Sequence, residues 1–271
     1  MKKLRVLVFG STGVGKTSLC NTLTGKNRPT DNGAKGITSK THLYAPFTTD
    51  SAVIEIIDTV GLHESVHGTV PADMAVMELV SLLEKSRDGF NLLIQVSRAS
   101  RTTHEHDQDY EFFVKKMADN RIPVILVATG CENESPMQNW AIKNQEALSR
   151  FSYKTIVGAC LAAGGPLEQH YAPLRELSKV DILSAIISSA APESIKIYGP
   201  EASISFSDKL FSLWNEFVAI SGLSEKYRRK VNESSYQLLK RLGVPQAIAD
   251  AAVKHIPDLA EELGSKLPIP G

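Results

Sequence analysis

Residues Gly10-Ser11-Thr12-Gly13-Val14-Gly15-Lys16-Thr17 place a glycine four positions ahead of Gly-Lys-Thr, a pattern suited to holding phosphate. The glycines let backbone wrap close to phosphate oxygens, because residues without Cβ reach all the required dihedrals cheaply. Wrapped in this way, the loop points several N–H groups inward, and the positive end of a following helix adds to them. Lys16 is expected to reach the β- and γ-phosphates, the Thr17 hydroxyl to hold Mg²⁺, and Ser18 to join the loop in binding the nucleotide.

A second group lies downstream. Ala52 to Ile57 reads as a strand that runs into Asp58-Thr59-Val60-Gly61. An acid at a strand end, two residues, then glycine is the partner such a loop needs. Asp58 is expected to bind Mg²⁺ directly or through water, and Gly61 to give its N–H to the γ-phosphate, so that the segment senses that phosphate.

The flanking elements have to bring these groups together. Leu4 to Phe9 predicts a strand before the loop, and Lys16 to Thr24 a helix after it. Gly25 to Lys40 predicts a loop from its composition. Thr41 to Phe47 predicts a strand in a hairpin with Ala52 to Ile57 across Thr48-Thr49-Asp50-Ser51. Beyond an irregular stretch come helices over Ala72–Arg87, His104–Asn120, Met137–Phe151 and Leu174–Ser189. Strands over Asn91–Val96, Pro123–Ala128 and Tyr153–Val157 alternate with them. Near-continuously apolar strands alternating with helices imply a mostly parallel sheet covered on both faces, with its ligand beyond the strand carboxyl ends. The phosphate loop, Asp58, the loop of Arg98 and Arg101, Thr129 to Glu132, and Ala159-Cys160 all fall at that end.

Composition narrows the class. Apolar residues make up 42% and charged residues 22% of the 271, and formal net charge is zero, so no global field draws the chain to nucleic acid or an anionic membrane. No nucleic-acid partner is expected. No apolar run approaches the ~20 residues of a bilayer-spanning helix. No signal peptide is read at Met1-Lys2-Lys3, and the three cysteines fit no zinc spacing, so reduced thiols in a cytoplasmic compartment are expected.

Residues 1–190 therefore predict one nucleotide-binding domain, 191–206 a linker rich in proline and small residues, and 207–271 a helical extension. Helices are expected over Asp208–Ser221, Ser224–Leu242 and Gln246–His255, with stop signals at Gly222 and Gly243. Lys226, Arg228, Arg229 and Lys230 form a basic cluster. The apolar stripes of these helices need a partner: the first domain itself, an effector protein, or a membrane surface.

Together G-S-T-G-V-G-K-T, G-I-T-S-K-T and D-T-V-G-L resemble the translation-factor-related GTPases, and more closely the immune-associated nucleotide-binding family, related to septins and chloroplast import GTPases. The likeness runs over about residues 4 to 190. It implies a three-layer α/β P-loop NTPase fold (a G domain) with a mostly parallel sheet and one antiparallel strand, followed here by the C-terminal helical extension. It implies GTP/GDP and Mg²⁺ as cofactors. Thr38 then becomes the threonine that closes on Mg²⁺ and the γ-phosphate, with Thr41 its rival. Two departures stand out. The base-reading loop is Thr129-Gly130-Cys131-Glu132, without the usual lysine and with Glu where Asp is usual. A carboxylate accepts both donors on one edge of guanine, so Glu132 can serve, and Ala159 and Cys160 resemble the backbone contact to the base oxygen. Leu62 follows D-T-V-G where a water-orienting glutamine stands in Ras-like proteins, which implies slow hydrolysis; His63 is the nearest substitute. In the resembled family G domains dimerise across the nucleotide, and Arg101, with Arg98 as the alternative, resembles an arginine acting in trans. A Mg²⁺-dependent, slowly hydrolysing switch that forms a nucleotide-dependent homodimer is the implied function. A scaffold with negligible hydrolysis and an ATP-using P-loop enzyme are the alternatives.

Overall fold

The computed structural model describes residues 1–28, 41–61, 72–100 and 102–221. Thr38, Leu62, His63, Arg101 and the helices expected beyond Gly222 lie outside the described residues.

Among the described residues, strand β1 (Lys2–Phe9) forms the middle of a seven-stranded sheet. It lies between β4 (Ala52–Asp58) and β5 (Leu92–Arg98), followed outward by β6 (Val124–Thr129) and β7 (Tyr153–Ala159), all parallel. Alternation along each strand sorts side chains to two faces. Leu7, Phe9, Ile57 and Leu93 join one core with α2 (Ala72–Lys85) and with α3 (His104–Tyr110), whose last turns widen to π geometry over Glu111–Met117. Leu4, Val6, Val8, Ile54, Ile56 and Ile94 join the other, with α1 (Lys16–Thr24) and α6 (Glu168–Ser189). Strands buried on both sides explain the unbroken apolar runs.

The outer edge of β4 carries the antiparallel strand, in two pieces. β2 (His42–Leu43) and β3 (Phe47–Thr48) both pair with β4. Leu43 faces Ile57 and Phe47 faces Ile54, so four steps on one side match three on the other. The extra residue is a bulge, and Pro46, which has no N–H to give a ladder, sits inside it. The single strand expected over Thr41–Phe47 is therefore interrupted. The helix expected over Met137–Phe151 is likewise two short ones, α4 (Asn139–Lys143) and α5 (Gln145–Leu148). Asn144 separates them; its side-chain amide donates to the Trp140 carbonyl at 2.8 Å and competes with the helical ladder. Helix α6 begins at Glu168, ahead of Pro173, because an Arg175–Glu168 ion pair at 2.6 Å and a Gly164 N–H donated to Glu168 pin its first turns.

Residues 191–205 follow the surface of the sheet domain. Ala191 N–H donates to Asn91 O at 2.8 Å, Phe90 and Ile195 exchange backbone bonds, and Ile197 is fully buried. Helix α7 (Phe206–Ser221) then places Leu210, Leu213 and Phe217 in the core beside α2 and the Glu111–Met117 turn. The first helix of the extension thus covers the domain itself. Among the described residues no helix is long and apolar enough to cross a membrane.

Candidate nucleotide site

The phosphate loop leaves β1 at Gly10 and enters α1 at Lys16. Gly10, Gly13 and Gly15 have φ of 144°, 76° and 102°, a region that L side chains rarely enter. At Gly10 a Cβ would also strike the Val96 carbonyl oxygen. Gly15 stands at the N-cap of α1 in left-handed geometry and, as a glycine, brings no side-chain oxygen to that end of the helix. The buried Lys16 ammonium folds back over the loop, donating to Gly10 O at 2.7 Å and Ser11 O at 2.9 Å. Val14 O accepts from the Thr129 hydroxyl at 2.8 Å, which ties the loop to the end of β6.

Beside it, Thr17 Oγ1 donates to Asp58 Oδ2 at 3.0 Å. Asp58 is fully buried, and its other oxygen, Oδ1, has no hydrogen-bond partner. Burial raises its carboxyl above the usual range, against the pull of the Lys16 ammonium, the Thr17 hydroxyl and the Arg28 guanidinium. A buried carboxylate oxygen without a partner next to a threonine hydroxyl is a hard-oxygen set that fits Mg²⁺. Among the described residues there is no cluster of three His, Cys, Asp or Glu, so the remaining ligands would be phosphate oxygens and water. Thr59 bonds Val8 O through both N–H and hydroxyl, locking the Asp58 turn to β1. Gly61 lies against Thr12, where a Cβ would collide with the Thr12 hydroxyl and amide. The rival threonine, Thr41, is buried, and its N–H donates to Glu78 at 2.7 Å.

On the other side of the loop, Thr129 pairs with Arg98 of β5 and Ala159 of β7. Cys131 N–H donates to Ala159 O at 3.1 Å, so the 129–132 loop and the loop after β7 are joined. Glu132 is half-buried. Its charge reaches two thiols: burial first, and Glu132 among the neighbouring charges, raises Cys160, and burial with the same carboxylate pushes Cys131 up to about 11. The Cys160 N–H, expected at a base oxygen, donates to the Ser178 hydroxyl at 2.9 Å.

The structure thus brings Gly10 to Ser18, Asp58, Gly61, Thr129, Glu132, Ala159 and Cys160 to one end of the sheet. It adds groups that the sequence reading missed. Ser11, expected at phosphate, donates its hydroxyl to the buried Asp109 of α3 at 2.7 Å. A lone acid in a helix carries no motif, and no spacing rule would have found it. Arg28, shortly after α1, is close enough to lower the Asp58 pKa electrostatically and lies over the Tyr44 ring at 5.6 Å.

A mostly parallel sheet with this loop, this acid and this antiparallel edge has the architecture of a P-loop G domain. Residues 5–130 match the family of 50S ribosome-binding GTPases. The match ends before Glu132. Over 104 residues the chain is 34% identical to immune-associated nucleotide-binding protein 10 of Arabidopsis thaliana, a stretch that is 38% of this chain and 22% of that protein's length. Among solved structures, Era bound to MgGDPNP and a segment of 16S ribosomal RNA superposes with a TM-score of 0.50 at 19% identity, over 73% of this chain and 60% of that one. Aquifex aeolicus Era bound to GDP and aluminium fluoride does so at 0.50 and 16%, over 98% and 100%. At these identities the likeness to Era is one of fold.

Proposed function

We propose that this chain binds GTP with Mg²⁺, hydrolyses it slowly as a monomer, and acts as a nucleotide-controlled switch through G-domain dimerisation. The observation that carries the reading is the Thr17–Asp58 pair, with its unpartnered buried oxygen, beside a loop wrapped over the Lys16 ammonium. Lys16 would exchange its two carbonyl partners for β- and γ-phosphate oxygens and offset their charge as the terminal bond breaks. Thr17 and Asp58 would hold Mg²⁺, which supplies charge neutralisation on the phosphates when bound. Water adds in line to the γ-phosphorus, the bond to the bridging oxygen breaks, and GDP and phosphate leave. Leu62 cannot orient that water, which favours a low intrinsic rate, and an arginine delivered by a second copy, Arg101 by resemblance, would raise it. Glu132 would accept the two donors of guanine.

The test is the nucleotide that co-purifies with the chain and its turnover. Guanine nucleotide should be present in the wild type and absent from Lys16→Ala. Phosphate release per molecule should need Mg²⁺ and should rise with protein concentration. A rate independent of concentration removes the dimer, and tighter binding of ATP than GTP removes the guanine assignment. Leu62 also favours a second reading, a nucleotide-bound scaffold; single turnover that stays negligible at high protein concentration selects it.

A further inference from the structure

We propose that Arg98 covers the flat face of the nucleotide base, occupying the space left by the absent side chain of Gly130. The proposal rests on the nucleotide reading given above.

A base bound between Thr129–Glu132 and Ala159–Cys160 would use its edge for hydrogen bonds and leave its faces to be covered by other groups. Position 130 offers nothing, since it is a glycine with φ of 83°. A Cβ built there would point at Arg98, with Cγ and Nε each 4.0 Å away. The arginine side chain therefore flanks the volume into which residue 130 would have projected. Its root is fixed: Arg98 is the last residue of β5, in register with Thr129, and the next amide, Ala99 N–H, donates to Thr129 O at 2.7 Å. Its tip is available. Arg98 is exposed, and among the described residues it forms no ion pair. Arg150, by contrast, is held by Asp107 at 2.7 Å. A planar guanidinium stacks on a purine face and is weakly hydrated, so little is lost on covering it. Stacking is indifferent to base identity, because every base has a π-face. Arg98 would thus supply affinity for any purine nucleotide, while Glu132 supplies the choice of guanine.

Calorimetry on the full chain with Mg²⁺ separates the base from the phosphates by comparing GDP, ADP and inorganic pyrophosphate. In the wild type GDP should bind more tightly than pyrophosphate. In Arg98→Ala, GDP and ADP should each weaken by roughly tenfold or more, pyrophosphate should be unchanged, and Arg98→Lys should recover part of the loss. Unchanged GDP affinity overturns the proposal. So does an equal loss for pyrophosphate, which would put the arginine on the phosphates. So does intact GDP affinity with lost concentration-dependent turnover, which would make it the group acting in trans. Failure of the nucleotide reading is seen separately, in the wild type, as no gain of GDP over pyrophosphate, and it takes the proposal down with it.

Discussion

His106 is a histidine built into the core as a neutral group. It is buried, its Nε2 lies 2.9 Å from Tyr153 Oη, Tyr153 donates to Gln95 at 2.7 Å, and Gln95 returns a bond to the His106 carbonyl at 2.9 Å. Burial lowers its pKa from 6.5, with Arg150 adding to the effect and Asp109 and Asp107 opposing it. The unfolded chain therefore takes up a proton that the folded chain refuses, so stability falls as pH drops below 6.5 and levels off once the folded pKa is passed. His106→Gln keeps a polar side chain there without a titrating ring. Urea unfolding at pH 7 and pH 5.5 should show the wild type losing more stability than the variant. An identical pH dependence in both would mean that the ring protonates freely in the fold. The same helix bears Asp109, which holds Ser11 of the phosphate loop, so opening of this network should be felt at the nucleotide.

At the scale of elements, close approach decides what each position can carry. Gly158 in β7 faces the chain just before α4: its N–H donates to Gln138 at 2.8 Å, and a Cβ would run into the Met137 carbonyl. Gly158→Ala should cost about 1–3 kcal/mol by denaturant unfolding, as an overpacked core position does. The elements best read from sequence were those whose signal is local. Lys16–Thr24 is found as expected, since the loop glycines fix its start and Gly25, in left-handed geometry, its end. The parallel strands were legible because their apolar runs reflect burial on both faces. What escaped depends on partners distant in sequence. The Ser11–Asp109 bond joins residues 98 positions apart in sequence. The break at Asn144 turns on one side-chain bond, and nothing in the proline-rich stretch 191–206 announces that Ile195 pairs with Phe90. At the site, the phosphate loop and Asp58 announce themselves by spacing. Arg98 does not, because its relation to Gly130 exists only once β5 and β6 are in register.

For the whole molecule, α7 matters as much as the helices inside the G domain. Leu213 is fully buried, and Lys209, also buried, caps the contact by donating to Lys116 O and Asp119 at 3.1 and 3.0 Å. Leu213→Ala should destabilise the entire domain by about 2–5 kcal/mol, visible as one cooperative transition at lower temperature. A separate early transition would instead mean that α7 detaches without unfolding the sheet. All three cysteines are sealed in this body: Cys20 on the helix behind the phosphate loop, Cys131 and Cys160 on the two loops assigned to the base. Burial holds each as an unreactive neutral thiol. An alkylating reagent can therefore mark them only through transient breathing of the walls around the ligand. The chain carries its own footprinting labels, and mass spectrometry of the modified peptides would report which wall loosens first and whether nucleotide seals it.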